Sequence, residues 1–213
     1  MEKVLEQIAQ IGIVPVIKVE DISLAVPLTK ALIDGGINCA EVTFRAEGAD
    51  KAIEAMSNAY PDMIIGAGTV LTPKQADDAV KAGAKFIVSP GFNPKTLEHC
   101  QKIGVPMTPG CITPSEIELA IEMGLDVIKF FPAEQAGGLA MLKALSGPFP
   151  QLRFMPTGGI SLSNLGEYLS FSKVIACGGS FMVKEEFIKN RQWDKITELS
   201  RQAVECCKNA RRS

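Results

Sequence analysis

Two rhythms of apolar and polar positions alternate along this chain. Short runs rich in Val, Ile and Phe occupy Ile13–Val19, Cys39–Phe44, Met63–Val70, Phe86–Ser89, Val105–Pro109, Val127–Phe131, Arg153–Thr157 and Val174–Cys177. Between them lie segments whose apolar residues recur at helical spacing, such as Asp50–Ala59, Pro73–Ala82, Pro94–Ile103, Pro114–Met123 and Leu139–Leu145. Successive strand candidates are about 20 to 28 residues apart, the interval of repeated strand–helix units. Three helices open on one device: Thr72-Pro73, Asn93-Pro94 and Thr113-Pro114 set a capping side chain before a proline whose missing N–H costs nothing at the first helical position. Gly35-Gly36, Gly83, Gly104 and Gly124 stand where left-handed C-terminal caps belong. Val4, Leu5, Ile8 and Ala9 form a stripe on a short leading helix, and the closing Lys208–Ser213 suits the end of a last one.

Eight such units predict an α/β chain whose strands close into a single (β/α)8 barrel, residues 1–213 forming one domain with a short N-terminal helix. An open sheet of eight parallel strands would leave two edges to protect. The 213-residue length fits the short end of the barrel range, and no Pro/Gly/Ser-rich linker interrupts it.

Composition narrows the chemistry. Lys plus Arg total 22 against 24 Asp plus Glu, a net charge of −2 without basic runs, which disfavours nucleic acid and anionic membranes as partners. No uncharged run approaches the roughly 18 residues of a membrane span. Six cysteines without a C-x-x-C pair read as reduced thiols of a cytoplasmic protein. The one histidine, His99, falls in Leu97-Glu-His-Cys-Gln on an outer helix, so neither a His-rich metal site nor an imidazole base is expected. The Gly66-Ala-Gly68-Thr-Val-Leu71 segment lacks the third glycine of a dinucleotide fingerprint. No metal and no cofactor is expected.

In a barrel, functional side chains belong at the C-terminal ends of the strands. Lys129 stands among Val127, Ile128, Phe130 and Phe131, where loss of hydration favours a neutral amine able to attack a carbonyl. Glu41, Thr43 and Arg45 share one face of strand two. Glu41 could move protons near an iminium, and Arg45 could hold a carboxylate through two parallel hydrogen bonds. A purely structural Glu41–Arg45 or Glu41–Lys129 ion pair is the alternative. Thr157-Gly158-Gly159 and Gly178-Gly179-Ser180 follow strands seven and eight, where barrels commonly bind phosphate through backbone N–H groups. Thr69, Ser89, Thr108 and Lys18 complete the polar set without a definite role.

The segments Gly12-Ile-Val-Pro-Val-Ile17, Ala40-Glu-Val-Thr-Phe-Arg45, Gly66-Ala-Gly-Thr-Val-Leu71, Ser89-Pro-Gly91, Thr108-Pro-Gly110, Val127-Ile-Lys-Phe-Phe-Pro-Ala-Glu134, Met155-Pro-Thr-Gly-Gly-Ile160 and Cys177-Gly-Gly-Ser180 together resemble one family. It is that of the class I aldolases of 2-keto-3-deoxy-6-phosphogluconate (KDPG) and 4-hydroxy-2-oxoglutarate (KHG). The resemblance implies a homotrimeric barrel enzyme of carbohydrate metabolism that cleaves its substrate to pyruvate and an aldehyde. By the same resemblance Lys129 forms the Schiff base and Glu41 transfers protons. Arg45, Thr69, Pro90 and Phe131 then surround the pyruvate moiety with Lys129, Thr157 sets stereoselectivity, and Gly158, Gly159, Gly179 and Ser180 bind phosphate. Phe181 departs from the tryptophan found in many members. The galactonate-derived epimer is an alternative substrate. A sugar-phosphate isomerase or epimerase on the same barrel is an alternative activity, as is a non-enzymatic phosphosugar-binding protein.

Overall fold

The computed structural model describes residues 2–211; Met1, Arg212 and Ser213 of the expected domain and basic tail lie outside the described residues. In chain order the elements are α1 Glu2–Ile11, β1 Ile13–Ile17, a 3-10 turn Ile22–Leu24, α2 Ala25–Asp34, β2 Cys39–Thr43, α3 Ala49–Ala59, β3 Ile64–Gly68, α4 Pro73–Lys81, β4 Ile87–Val88 and α5 Pro94–Lys102. They continue as β5 Met107–Thr108, α6 Pro114–Glu122, β6 Val127–Phe130, α7 Gly138–Ser146, β7 Arg153–Pro156, α8 Leu162–Leu169, β8 Cys177–Gly179, α9 Glu185–Lys189 and α10 Trp193–Ala210.

The expected caps are in place. Thr72, Asn93 and Thr113 accept hydrogen bonds from the N–H groups of Gln75, Lys95 and Glu116, each with proline in the first turn, and Glu116 completes a capping box. Gly36, Gly83, Gly104 and Gly124 have φ of 88°, 103°, 75° and 82°, the left-handed geometry that ends α2, α4, α5 and α6. Gly35 keeps right-handed geometry at φ −81°.

All strand pairings are parallel. Six strands run in the order β5-β4-β3-β2-β1-β8, and β6 pairs with β7. Bridges Gly110↔Lys129, Phe154↔Val174 and Thr157↔Gly178 join the two pieces, so the sheet closes on itself. The fold is therefore the expected barrel ringed by helices. Strand five is shorter than its apolar run predicts because Pro106 and Pro109 supply no N–H to the ladder, and strand four is confined to Ile87 and Val88, the residues in register with it. Strand eight starts later, at Cys177 in place of Val174, and includes both glycines. A Cβ on Gly178 would stand 2.3 Å from Thr157 Oγ1, so the strand accepts glycine where a side chain would collide.

Partnered residues in a parallel sheet share a face. The registers Gly178↔Val14, Val16↔Glu41, Glu41↔Gly66, Val88↔Thr108, Gly110↔Lys129 and Lys129↔Met155 trace one such face around the barrel. Glu41 meets Lys129 across it, which makes it the interior. Phe86 fills the space beside Gly66, where a Cβ would lie 2.3 Å from its ring. The opposite face is Ile- and Val-rich and packs under the helices, with Ile65, Ile87 and Ile128 fully buried.

Lys18, expected at the end of strand one, falls just past β1 and pairs with Glu20 at 2.6 Å and Glu185 at 3.6 Å. Lys189 reaches Glu20 at 3.0 Å, so four charges fasten the exit of β1 to α9. Hydrogen bonds from Lys18 and Lys189 hold the exposed Glu20 carboxyl down to about 2. All six cysteines are free thiols, and burial pushes Cys111 and Cys207 up to about 12 and Cys100 up to about 11. His99 lies on α5 with Nε2 2.7 Å from Asp77 on α4, on the outer ring as expected. Among the described residues no helix is long and apolar enough to cross a membrane.

Candidate active site

The two charged residues that meet on the barrel interior come from the second and sixth strands. Lys129 comes from β6 and Glu41 from β2, with 4% and 1% of their surfaces exposed. Lys129 Nζ lies 3.6 Å from Glu41 Oε1, too far for a direct hydrogen bond, and neither carboxylate oxygen of Glu41 has a hydrogen-bond partner among the described residues. The ammonium also sits 5.0 Å from the centroid of the Phe131 ring. A buried acid and amine left this short of polar contacts are costly to fold. Glu41 pairs with Lys129 and not with Arg45, which separates the structural alternatives raised by the sequence.

The carboxylate fits because strand three yields its volume. A Cβ on Gly68 would stand 2.0 Å from Glu41 Oε1 and 2.6 Å from its Cδ. The two glycines of the Gly66-Ala-Gly68 segment thus make room inside a strand and do not form a nucleotide loop. Gly68→Ala is expected to swing the carboxylate away from Lys129, with a loss in kcat of about 10²-fold, the scale of an ångström-sized misplacement in a catalytic group. The second methyl probe, Ala67→Gly on the outer face of the same strand, is expected to leave kcat within about twofold while lowering the melting temperature through its gain in unfolded-chain freedom. Steady-state assays of the two variants, with kcat for Gly68→Ala near the unmodified value as the contrary result, check this.

Thr43 Oγ1 donates to Ile17 O at 3.0 Å and accepts from Arg45 Nε at 3.3 Å. Arg45 lies just beyond β2, exposed at the barrel rim, so it is in reach of the mouth without being an interior strand residue. Thr69 follows β3 at φ 58°, a left-handed conformation uncommon for threonine that turns the chain at the rim. Pro90 and Phe131 are half-buried after β4 and β6.

Two hydroxyls flank the strand that carries Lys129. Thr108 on β5 and Thr157 after β7 are buried with Oγ1 unpartnered, whereas the buried Thr29, Thr43 and Thr96 all donate to backbone carbonyls. Leaving such a hydroxyl unmet costs about 1–3 kcal/mol, a cost that Ser57 and Ser200 also carry elsewhere in the fold. Thr108 was visible in the sequence as a polar residue in an apolar run, but nothing there gave it a partner strand. Gly158 and Gly159 turn the chain after β7 with φ 101° and 79°, Gly179 lies in the ladder opposite Pro15, and Ser180 is exposed just past β8. The structure thus brings Lys129, Glu41 and Phe131 together and places the other expected residues at or just past the C-terminal ends of their strands.

A closed parallel barrel with an amine and a carboxylate facing each other inside its C-terminal mouth has the layout of the barrel enzymes that work through a lysine. Comparison with known proteins sharpens that class. The family model for KDPG and KHG aldolases matches residues 4–199. The 2-dehydro-3-deoxy-phosphogluconate aldolase of Treponema pallidum is 48% identical over 96% of this chain and 98% of its own. The KHG/KDPG aldolase of Escherichia coli K12 is 45% identical over 92% of each chain. The crystal structure of the KDPG aldolase of Legionella pneumophila, with pyruvate captured as a covalent carbinolamine, superposes with a TM-score of 0.90 at 46% identity, covering 93% of this chain and 97% of that one. The chain belongs to the KDPG and KHG aldolase family.

Proposed function

We propose that this chain is a class I aldolase that reversibly cleaves 2-keto-3-deoxy-6-phosphogluconate to pyruvate and D-glyceraldehyde 3-phosphate, and that also accepts 4-hydroxy-2-oxoglutarate. The observation that carries this reading is the buried Lys129–Glu41 pair at 3.6 Å, in a chain of this family. The neutral amine of Lys129 attacks the 2-keto carbon, and Glu41 delivers the proton with which the carbinolamine hydroxyl leaves as water. The resulting cationic imine draws the electrons of the C3–C4 bond as it breaks. Glu41, now a carboxylate, takes the C4 hydroxyl proton, directly or through one water, and the aldehyde departs. Protonation of the enamine and hydrolysis of the imine release pyruvate and restore Lys129. The imine is itself the electron sink, so no metal enters the scheme.

In this proposal Arg45 and Thr69 hold the carboxylate of the pyruvate moiety, and Pro90 and Phe131 wall its pocket. The Thr157 hydroxyl reads the configuration at C4, and Gly158, Gly159, Gly179 and Ser180 receive the phosphate through their backbone and hydroxyl groups. The whole of residues 1–213 serves as one barrel unit, assembled as a homotrimer in the cytoplasm. Pyruvate with borohydride is expected to leave a pyruvate-sized mass adduct on the peptide containing Lys129, and chelators to leave cleavage intact. Absence of the adduct, or loss of cleavage on chelation, would overturn the scheme. Turnover of the gluconate-derived, galactonate-derived and unphosphorylated substrates, compared side by side, tests the order of preference.

A further inference from the structure

The glycine pair after β7 presents a physical difficulty. Glycine visits either sign of φ at little cost, so a peptide between two glycines can flip and exchange an outward N–H for an outward carbonyl oxygen. At a site for a dianion, that exchange turns an attraction into a repulsion. Both carbonyls of the pair are held. Gly158 O accepts from Glu134 N at 3.1 Å, and Gly159 O accepts from Asn164 Nδ2 at 3.0 Å. The N–H groups of Gly159 and Ile160 donate to no backbone acceptor among the described residues.

The same two residues are themselves braced. Asn164 is the third residue of α8, and its Oδ1 accepts from Ser161 N at 2.8 Å, so one side chain both caps the helix and grips the loop. Glu134 lies flush on Gly159, where a Cβ would stand 2.4 Å from its Cγ and 2.6 Å from its Cβ. Its carboxylate accepts the hydroxyl of Tyr168, a residue of α8 with 2% of its surface exposed. Burial, and then this bond to Glu134, push the Tyr168 hydroxyl well above its ordinary range, so it stays a donor. The loop after β6 is thereby tied to α8, the helix that follows the glycine pair.

We propose that Glu134 and Asn164, with Tyr168 behind Glu134, are positioning residues that lock the Gly158–Gly159 peptides with their N–H groups toward the substrate phosphate. This rests on the phosphate-site reading above, and it adds residues that the sequence motifs alone do not assign. The clamp acts through the methylenes and the acceptor oxygen of Glu134 and not through its charge, which would oppose a phosphate.

The test compares Glu134→Ala, Glu134→Gln and Asn164→Asp, which keeps the Ser161 contact but cannot donate to Gly159. KM is measured for the phosphorylated substrate and for 4-hydroxy-2-oxoglutarate, together with inhibition by inorganic phosphate. Glu134→Ala and Asn164→Asp are expected to raise KM for the phosphorylated substrate about tenfold and to weaken phosphate inhibition in parallel, the loss of roughly one good anion contact. KM for the unphosphorylated substrate and borohydride trapping of pyruvate should stay within about twofold, and Glu134→Gln should behave as the unmodified protein, because it retains the methylenes and the acceptor. Equal shifts for both substrates, or no shift for either, overturn the positioning role. An unmodified protein that neither prefers the phosphorylated substrate nor responds to phosphate overturns the phosphate site itself, and the clamp with it.

Discussion

Lys129→Met is expected to abolish cleavage, with kcat falling by at least about 10⁴-fold, the scale on which removing a covalent nucleophile disables a cooperating catalytic unit. Methionine keeps the unbranched stem and the contact with Phe131, so the change deletes the amine and little else. Borohydride with pyruvate should leave no adduct. The substitution also strips the cation from a carboxylate 1% exposed and without hydrogen bonds. Breaking a buried pair on one side destabilises by about 3–5 kcal/mol, so urea unfolding should show a weaker fold at neutral pH. Combining Lys129→Met with Glu41→Gln removes the stranded charge and should return most of that stability without any activity. Retained cleavage in Lys129→Met would remove the lysine from the chemistry. Retained stability would show that the pair is well hydrated.

Glu41→Gln is expected to cost kcat about 10²–10⁴-fold, the usual contribution of one positioned proton-transfer group. Glutamine fills the same space against Gly68 and stays beside Lys129, so the substitution isolates the proton from the shape. Two readouts should separate. Pyruvate should still be trapped on Lys129, more slowly, because the nucleophile remains. Exchange of the pyruvate methyl protons with deuterated water should fall in step with kcat, because that exchange needs a group that accepts and returns a proton at the enamine carbon. A kcat within about tenfold of the unmodified protein would place proton transfer elsewhere, with the Thr108 and Thr157 hydroxyls and solvent as the remaining carriers.

The eight-unit barrel was legible because its punctuation is local. Threonine or asparagine before proline, and glycine after the helix, each act on backbone groups a few positions away, and those helices begin as read and end one residue before the reading. Lys129 and Glu41 were legible for a different reason: a charge inside an apolar run contradicts its surroundings, and the period of two fixes its direction. Where the reading slipped, long-range volume overrode local preference. Gly178 and Gly179 resemble a loop in isolation, yet both belong to β8, and at Gly178 the hydroxyl of Thr157, just past β7, occupies the place of a side chain. Glu134 was visible as the end of a motif, but its bond to Tyr168, 34 residues on, has no signature in spacing. The fifth apolar run is longer than β5 because hydrophobicity continues through Pro106 and Pro109, which the hydrogen-bond ladder cannot use.

The third strand suggests how freely such an enzyme can be reshaped. Gly66 and Gly68 surrender their space to Phe86, just before β4, and to Glu41 on β2. Each glycine and its occupant therefore form one inheritable unit: enlarging the glycine is tolerated only if the neighbour shrinks in the same step, and for Gly68 the neighbour is the catalytic carboxylate. A saturation library over β2 to β4 should show these positions as blank columns that recover only in paired changes, Gly66 with Phe86 above all. The same coupling recurs where β7 and β8 end, with Gly159 against Glu134 and Gly178 against Thr157, so changes there should also be recovered in pairs and not one substitution at a time.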